Sequence, residues 1–335
     1  LMFSTFLFVI VMSLVDLRLL YSAGMVLLLF QLVLFVSRRY LSRRSGNPIF
    51  ASFIFLGPTS GFLGNVAGFI SFFSTDPVWG ELHKSLYLHG MFWILFFGVG
   101  VKFFPMLTLS TRSLTKEPSR YVQIVSKSHQ LWGVVGLLLL VSFVVEGLGF
   151  VRQAMWARAF IVLFMAREGW MLFHHSPRKG VFTFFLKLAL WTVVVSHFVF
   201  PFFPELRAHL YHAVFTGGFL IGTLIVMGRV SLSHERLSLE VEVRSTPARI
   251  GFTLIYIAML VRITVSPVLA TVTDIGKWLP NYVSQLHIAA TIVLLGEFLL
   301  VGLFIYLYKT GKGKGMTLNR QVQQRQQQRV GQQNH

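Results

Sequence analysis

Apolar runs of about twenty residues, the length a helix needs to cross a bilayer, recur along almost the whole chain and limit its fold more severely than any other feature. Hydrocarbon offers no partner for a backbone N–H or C=O. Such runs must therefore fold as helices, which bond their own backbone internally. Ten spans are expected, at 2–15, 18–37, 49–73, 86–108, 128–150, 155–173, 182–203, 207–228, 249–272 and 284–308. The expected fold class is all-α, a polytopic transmembrane helical bundle over residues 1–309. A polar Gln/Lys/Arg-rich tail, 310–335, follows, and its composition predicts disorder.

Charge supports the same class. The formal net charge is +18, which in a water-soluble protein would suggest nucleic acid. Here the basic residues gather in short turns, at 38–48, 109–127, 174–181 and 229–247, and in the tail. Positive-inside topology and contact with anionic membrane lipid explain that placement, and no nucleic-acid partner is expected. The alternate turns carry Asp16, Asp76, Glu81, Glu205 and Asp274 instead, so both termini are expected on the cytoplasmic side. The chain has no Cys, which excludes disulfides, iron–sulfur clusters and thiolate ligands. Any metal must then use His, Met, carboxylate, Tyr or backbone. No phosphate-binding loop, dinucleotide fingerprint or nucleophile elbow is present, so nucleotide and hydrolytic chemistry have no support.

With orientation assigned, the histidines sort by depth. His89 begins the fourth span, His197 lies in the outer part of the seventh, His209 and His212 open the eighth, and His287 opens the tenth. Five rings from four helices thus fall at the outer boundary, with His83 just beyond them. His129, His174, His175 and His234 fall at the inner boundary. His209 and His212 are three apart and share a helix face. Polar rings at membrane depth need a partner, and a metal or haem iron would serve. The alternative is that the pair faces headgroups and water. Haem takes one or two axial histidines without any Cys, and copper beside it accepts imidazole readily. The candidate metal ligands are therefore His212, His209, His89, His287 and His197, with His212, His209, His197 and His89 also candidates for the haem.

Several charges fall inside spans, among them Glu146, Arg158, Arg262 and Glu297. Arg262 and Arg158 are candidates to clamp haem propionates, because the guanidinium fork binds carboxylate bidentately. The competing reading is mutual neutralisation, Arg158 with Glu146 or Arg262 with Glu297, as membrane charges commonly pair. Glu297 is a further candidate for proton transfer. Gly217, Gly218 and Gly222 are read first as helix-packing glycines, as are Gly57–Gly61 and Gly64–Gly68, all by their small-residue spacing. Met91, Met106, Met227 and Met259 read as core filler before soft copper ligands.

Three stretches resemble the NnrS family, haem- and copper-containing bacterial membrane proteins linked to nitric oxide. His212-Ala213, a glycine-rich span and Met227-Gly228-Arg229-Val230-Ser231-Leu232-Ser233-His234 resemble that family's His-Ala-Leu opening and Arg-Val-Ser-Leu-Gly-His ending. Gly100-Val101-Lys102-Phe103-Phe104-Pro105-Met106-Leu107-Thr108 is similar to its Pro-containing helix end, and Leu260-Val261-Arg262 to its later Leu-Leu-Arg span. The chain departs from the family in its expected span count, which is about two short. An early His-x-His-Glu cluster is reduced to His89-Gly90-Met91-Phe92, and Trp191 stands six residues before His197 where the family spaces these residues three apart. The resemblance implies haem b, with copper as a second metal, and places the chain in the bacterial inner membrane. It makes His212 and His234 the family-matched histidines, His212 being the first choice as iron ligand. The implied function is binding or reduction of nitric oxide or a related diatomic, in nitric oxide response or respiration, with a respiratory electron donor as partner. The alternative is a non-redox transporter or an assembly subunit of a respiratory complex.

Overall fold

The computed structural model describes residues 2–14, 17–42, 50–108, 129–174, 179–234, 240–264 and 282–310. Those residues are helical, and no strand occurs among them. The helices are α1 (Met2–Leu14), α2 (Arg18–Leu41), α3 (Ala51–Ile70), α4 (Val78–Thr108), α5 (His129–Gly147) and α6 (Val151–Phe164), then α7 (Val181–Val199). They continue with α8, which runs from Arg207–His212 through Ala213–Leu220 into Ile221–His234, and with α9 (Glu240–Arg244), α10 (Thr246–Thr264) and α11 (Tyr282–Thr310).

Among the described residues eight helices are long and apolar enough to cross a bilayer, and the chain is a membrane protein. The count of about ten is met approximately, and the two expected spans that are not among the eight, α1 and α6, explain the difference. Helix α1 has only 13 residues, which at about 1.5 Å per residue falls well short of the hydrocarbon thickness. Helix α6 and the turn after it carry Arg152, Arg158, Arg167 and Glu168, too many charges for an ordinary lipid-facing span. The expected tail, the end of the span at 249–272 and the turn at 109–127 lie outside the described residues.

The chain divides into two compact units, 1–177 with 193–207, and 178–192 with 208–335. In the first, α2 and α4 both pack on α3, and α5 packs on α3, α4 and α6. Lipid is as apolar as leucine, so helices in a bilayer are held by close packing rather than by escape from water. Two devices supply it. The glycine face of α3 receives α4, since a Cβ on Gly61 would meet Met91 and one on Gly64 would come within 2.6 Å of the Tyr87 backbone nitrogen. Aromatic side chains fill the interior: Trp93, Trp132, Trp170, Phe53, Phe97, Phe104, Phe143 and Phe200 are all fully buried. Trp93 meets Phe143 edge-on at 5.4 Å and Phe97 meets Trp170 at 5.1 Å, the arrangement that ring quadrupoles favour.

In the second unit, α10 packs on α11 and on the Ala213–Leu220 part of α8. Gly251 and Gly296 lie backbone to backbone, and Gly217 lies against Met259. The packing reading of Gly57–Gly61, Gly64–Gly68 and Gly217 therefore holds, and Met91 and Met259 serve as filler at these contacts. Polar groups in this unit pair internally: Tyr256 donates to the Leu188 carbonyl at 3.0 Å and shares a hydrogen bond with Thr192. Arg229 reaches Glu242 at 2.7 Å.

Candidate functional site

The turn between α5 and α6 shapes the candidate site. Gly149 has φ +96°, its N–H bonds to the Glu146 carbonyl at 3.0 Å, and the Phe150 N–H bonds to the Val145 carbonyl at 3.1 Å. This paired closure ends a helix by using one left-handed residue, the conformation glycine adopts without strain. It folds α6 back along α5 so that Arg158, seven residues into α6, meets Glu146 at the end of α5. The two form an ion pair with side chains only 1% and 5% exposed. The neutralisation reading of Arg158 is the arrangement found.

The pair is one part of a longer series of charges. Arg207 lies 3.6 Å from Glu146 and 3.4 Å from Glu81, and Glu81 bonds Lys84 at 2.8 Å. Exposure falls along this series from 60% at Lys84 and 41% at Glu81 to 1% at Arg158. The Arg158 guanidinium lies over the faces of Phe143, at 4.4 Å, and Trp93, at 5.5 Å. Cation–π attraction of this kind strengthens when water is excluded.

His197 also packs against Trp93. Its ring is 1% exposed, 4.4 Å from the Trp93 ring at an interplanar angle of 60°, and 5.3 Å from Phe200. Its Nδ1 donates to the Val193 carbonyl one turn back, at 2.6 Å. That bond places the single proton of a neutral imidazole on Nδ1 and leaves Nε2 as a bare lone pair. Nε2 is buried and has no hydrogen-bond partner among the described residues. Metal-ligating histidines are commonly oriented this way, with one nitrogen held by a carbonyl and the other presented to the metal.

His89 lies in a wide turn of α4, Lys84–Gly90, where the Met91 N–H bonds to the Leu86 carbonyl five residues back. Such π-helical turns are rare and cluster at functional sites. This one is stitched to its neighbours: Ser60 donates to the Leu86 carbonyl at 2.8 Å, and Ser85 donates to the Phe143 carbonyl at 2.7 Å. His89 is half-buried and lies within electrostatic reach of Glu146, Arg158, Arg207 and Glu81.

The first unit thus brings together His89, Arg158 and His197 around Trp93 and Glu146. The other candidates fall in the second unit. His212 is half-buried and ends the first part of α8, just before a second π-helical stretch at Ala213–Leu220. Arg262 is buried at 8% exposure on α10, and His287 is exposed near the start of α11. His209 is on α8, but its side chain lies outside the described residues. No group of three or more His, Asp or Glu suited to a metal occurs among the described residues.

Trp93, Arg207 and the π-helical turns are the parts that sequence reading missed. Trp93 stands four residues after His89, a helical spacing that was legible but ambiguous. The π turns have no local signature in the sequence, and the one at Lys84–Gly90 is bonded to neighbouring helices through Ser60 and Ser85.

A family model described as NnrS protein matches residues 1–307. The match therefore includes α1–α3 and the start of α4, which precede the stretch of motif resemblance. No curated protein and no solved structure matches the chain. A polytopic helical membrane protein matched over nearly its whole length by one family model, the chain belongs to the NnrS family.

Proposed function

We propose that this NnrS-family protein is a membrane haem protein that binds or reduces nitric oxide or a related diatomic, and that His197 is a residue that would hold a b-type haem. The observation carrying this reading is the His197 imidazole: Nδ1 is locked on Val193, and Nε2 is buried with no hydrogen-bond partner among the described residues. A buried polar nitrogen without a partner is costly, and an iron atom would satisfy it. Haem held there would supply an iron centre for a diatomic and, for reduction, would relay electrons from a respiratory donor.

The chain's own residues perform three tasks in this reading. Val193 holds the tautomer of His197. Trp93, Phe97 and Phe200 exclude water around the ring. The charge series places three cations, Lys84, Arg158 and Arg207, against two carboxylates, Glu81 and Glu146, and its surplus positive charge suits an anionic propionate. Arg262 has no assigned role in this arrangement, and neither does Glu297. No three-ligand group for copper gathers among the described residues, and no step is assigned to that metal. The bacterial inner membrane, with the Lys- and Arg-rich turns on the cytoplasmic side, completes the proposal.

The test is spectroscopic. Protein purified from a haem-supplied host should show a Soret band and a b-type pyridine haemochrome spectrum, and His197→Ala should abolish or shift that band. Colourless protein would remove the haem reading. A band unchanged in His197→Ala but lost in His212→Ala would move the ligand to the family-matched histidine.

A further inference from the structure

The second unit contains a cavity of about 500 Å³ between the first turns of α7 and α10. Its walls include Val181, Phe184 and Phe185, and Lys179, Arg249 and Thr253 also line it. We infer that it is a binding site for the headgroup and upper acyl carbons of an anionic membrane phospholipid.

Depth is the first support. Both helices are of membrane-crossing length and begin here, and the lining residues fall within their first two turns or just before them. Two turns span about 11 Å, which places the cavity at the headgroup and glycerol level of a bilayer. The end of the helices involved is the one carrying the basic turns, where anionic lipid is attracted.

Charge is the second. Lys179 and Arg249 are exposed, and neither is in an ion pair among the described residues. Arg229, also in this region, is already neutralised by Glu242 at 2.7 Å. Two uncompensated cations on one cavity match one phosphodiester, with the Thr253 hydroxyl on the same wall. Across the chain, 30 Lys and Arg face 12 Asp and Glu, so most of this positive charge must be balanced from outside the protein.

The apolar wall identifies the source of the phosphate. Phe184 is 62% exposed and offers nothing to a free inorganic ion, whereas the first methylenes of an acyl chain would cover it.

Native mass spectrometry of the full chain in neutral detergent tests this, with phosphatidylglycerol and phosphatidylcholine of matched chains as probes. The wild type should retain phosphatidylglycerol in preference to phosphatidylcholine. Lys179→Gln with Arg249→Gln should weaken that retention about thirtyfold, each cation near a membrane surface contributing about fivefold. The charge-keeping pair Lys179→Arg with Arg249→Lys should retain the lipid. Equal binding of both lipids, or an unchanged double Gln variant, would overturn the proposal. Displacement by millimolar inorganic phosphate would overturn the lipid assignment in favour of a free anion. If the double variant fails to fold, Lys179→Gln alone carries the test, with about a fivefold loss expected.

Discussion

The ion pair of Glu146 with Arg158 makes an unequal prediction at the scale of single residues. Breaking a buried pair typically costs about 3–5 kcal/mol, because a charge is left without its partner in a low dielectric. Glu146→Gln leaves Arg158, 1% exposed, with no carboxylate partner among the described residues, whereas Arg158→Gln leaves Glu146 with Arg207 at 3.6 Å. Thermal unfolding in detergent should therefore show the larger loss for Glu146→Gln. Replacing both residues by Met should cost less than Glu146→Gln alone, since a matched apolar pair leaves no stranded charge. Equal losses in the two single variants would mean that Arg207 does not support Glu146. His197→Ala should alter the optical spectrum and also lower the melting temperature, because the ring is packed against Trp93 and Phe200 and its removal leaves a cavity.

Elements are positioned by a few backbone contacts, and these give predictions of their own. Gly149 adopts φ +96° at the α5–α6 turn, and a Cβ in the left-handed region costs about 1–2 kcal/mol. Gly149→Ala should lower stability by about that amount and disturb the register that brings Arg158 to Glu146. Gly64→Ala should cost about 1–3 kcal/mol, the usual range for overpacking, because its Cβ would lie 2.6 Å from the Tyr87 nitrogen inside the π-helical turn. Gly80→Ala is the control, as nothing lies within 4 Å of that Cβ, and its melting temperature should stay near the wild-type value. If Gly64→Ala melted like Gly80→Ala, α3 and α4 would not be in the close contact described. Helix α6 illustrates why composition alone misjudges an element. Its charges keep it from the usual profile of a membrane span, yet Arg158 is fully buried against aromatic faces and a carboxylate.

For the molecule as a whole, orientation in the membrane is the testable property. The native chain has no Cys, so single cysteines report on their own position. Thr75→Cys, exposed in the turn between α3 and α4, should react with a membrane-impermeant maleimide in intact spheroplasts. Ser42→Cys, exposed after α2, should react only after lysis. The opposite pattern would invert the topology and place the candidate site at the other face. Much of the architecture was legible in advance because the bilayer is a simple solvent: it demands length, apolarity and satisfied backbone, all of which are local properties. The helical class, the glycine packing faces and the family resemblance were read correctly on that basis, and the span count approximately.

The candidate site was less legible, and the reason is physical. Sequence alone established that the chain crosses a membrane as helices, that thiolate chemistry is excluded, and that histidines and a few charges lie at costly depths. It ranked His212 first because motifs are contiguous strings. Only the tertiary structure decided which groups share surroundings, since the Glu146–Arg158 pair, the Trp93 contacts and the Ser60 and Ser85 bonds join residues on different helices. The bare Nε2 of His197 is likewise a property of the fold: a ring nitrogen is left without a partner only when neighbouring helices seal it from both water and donors.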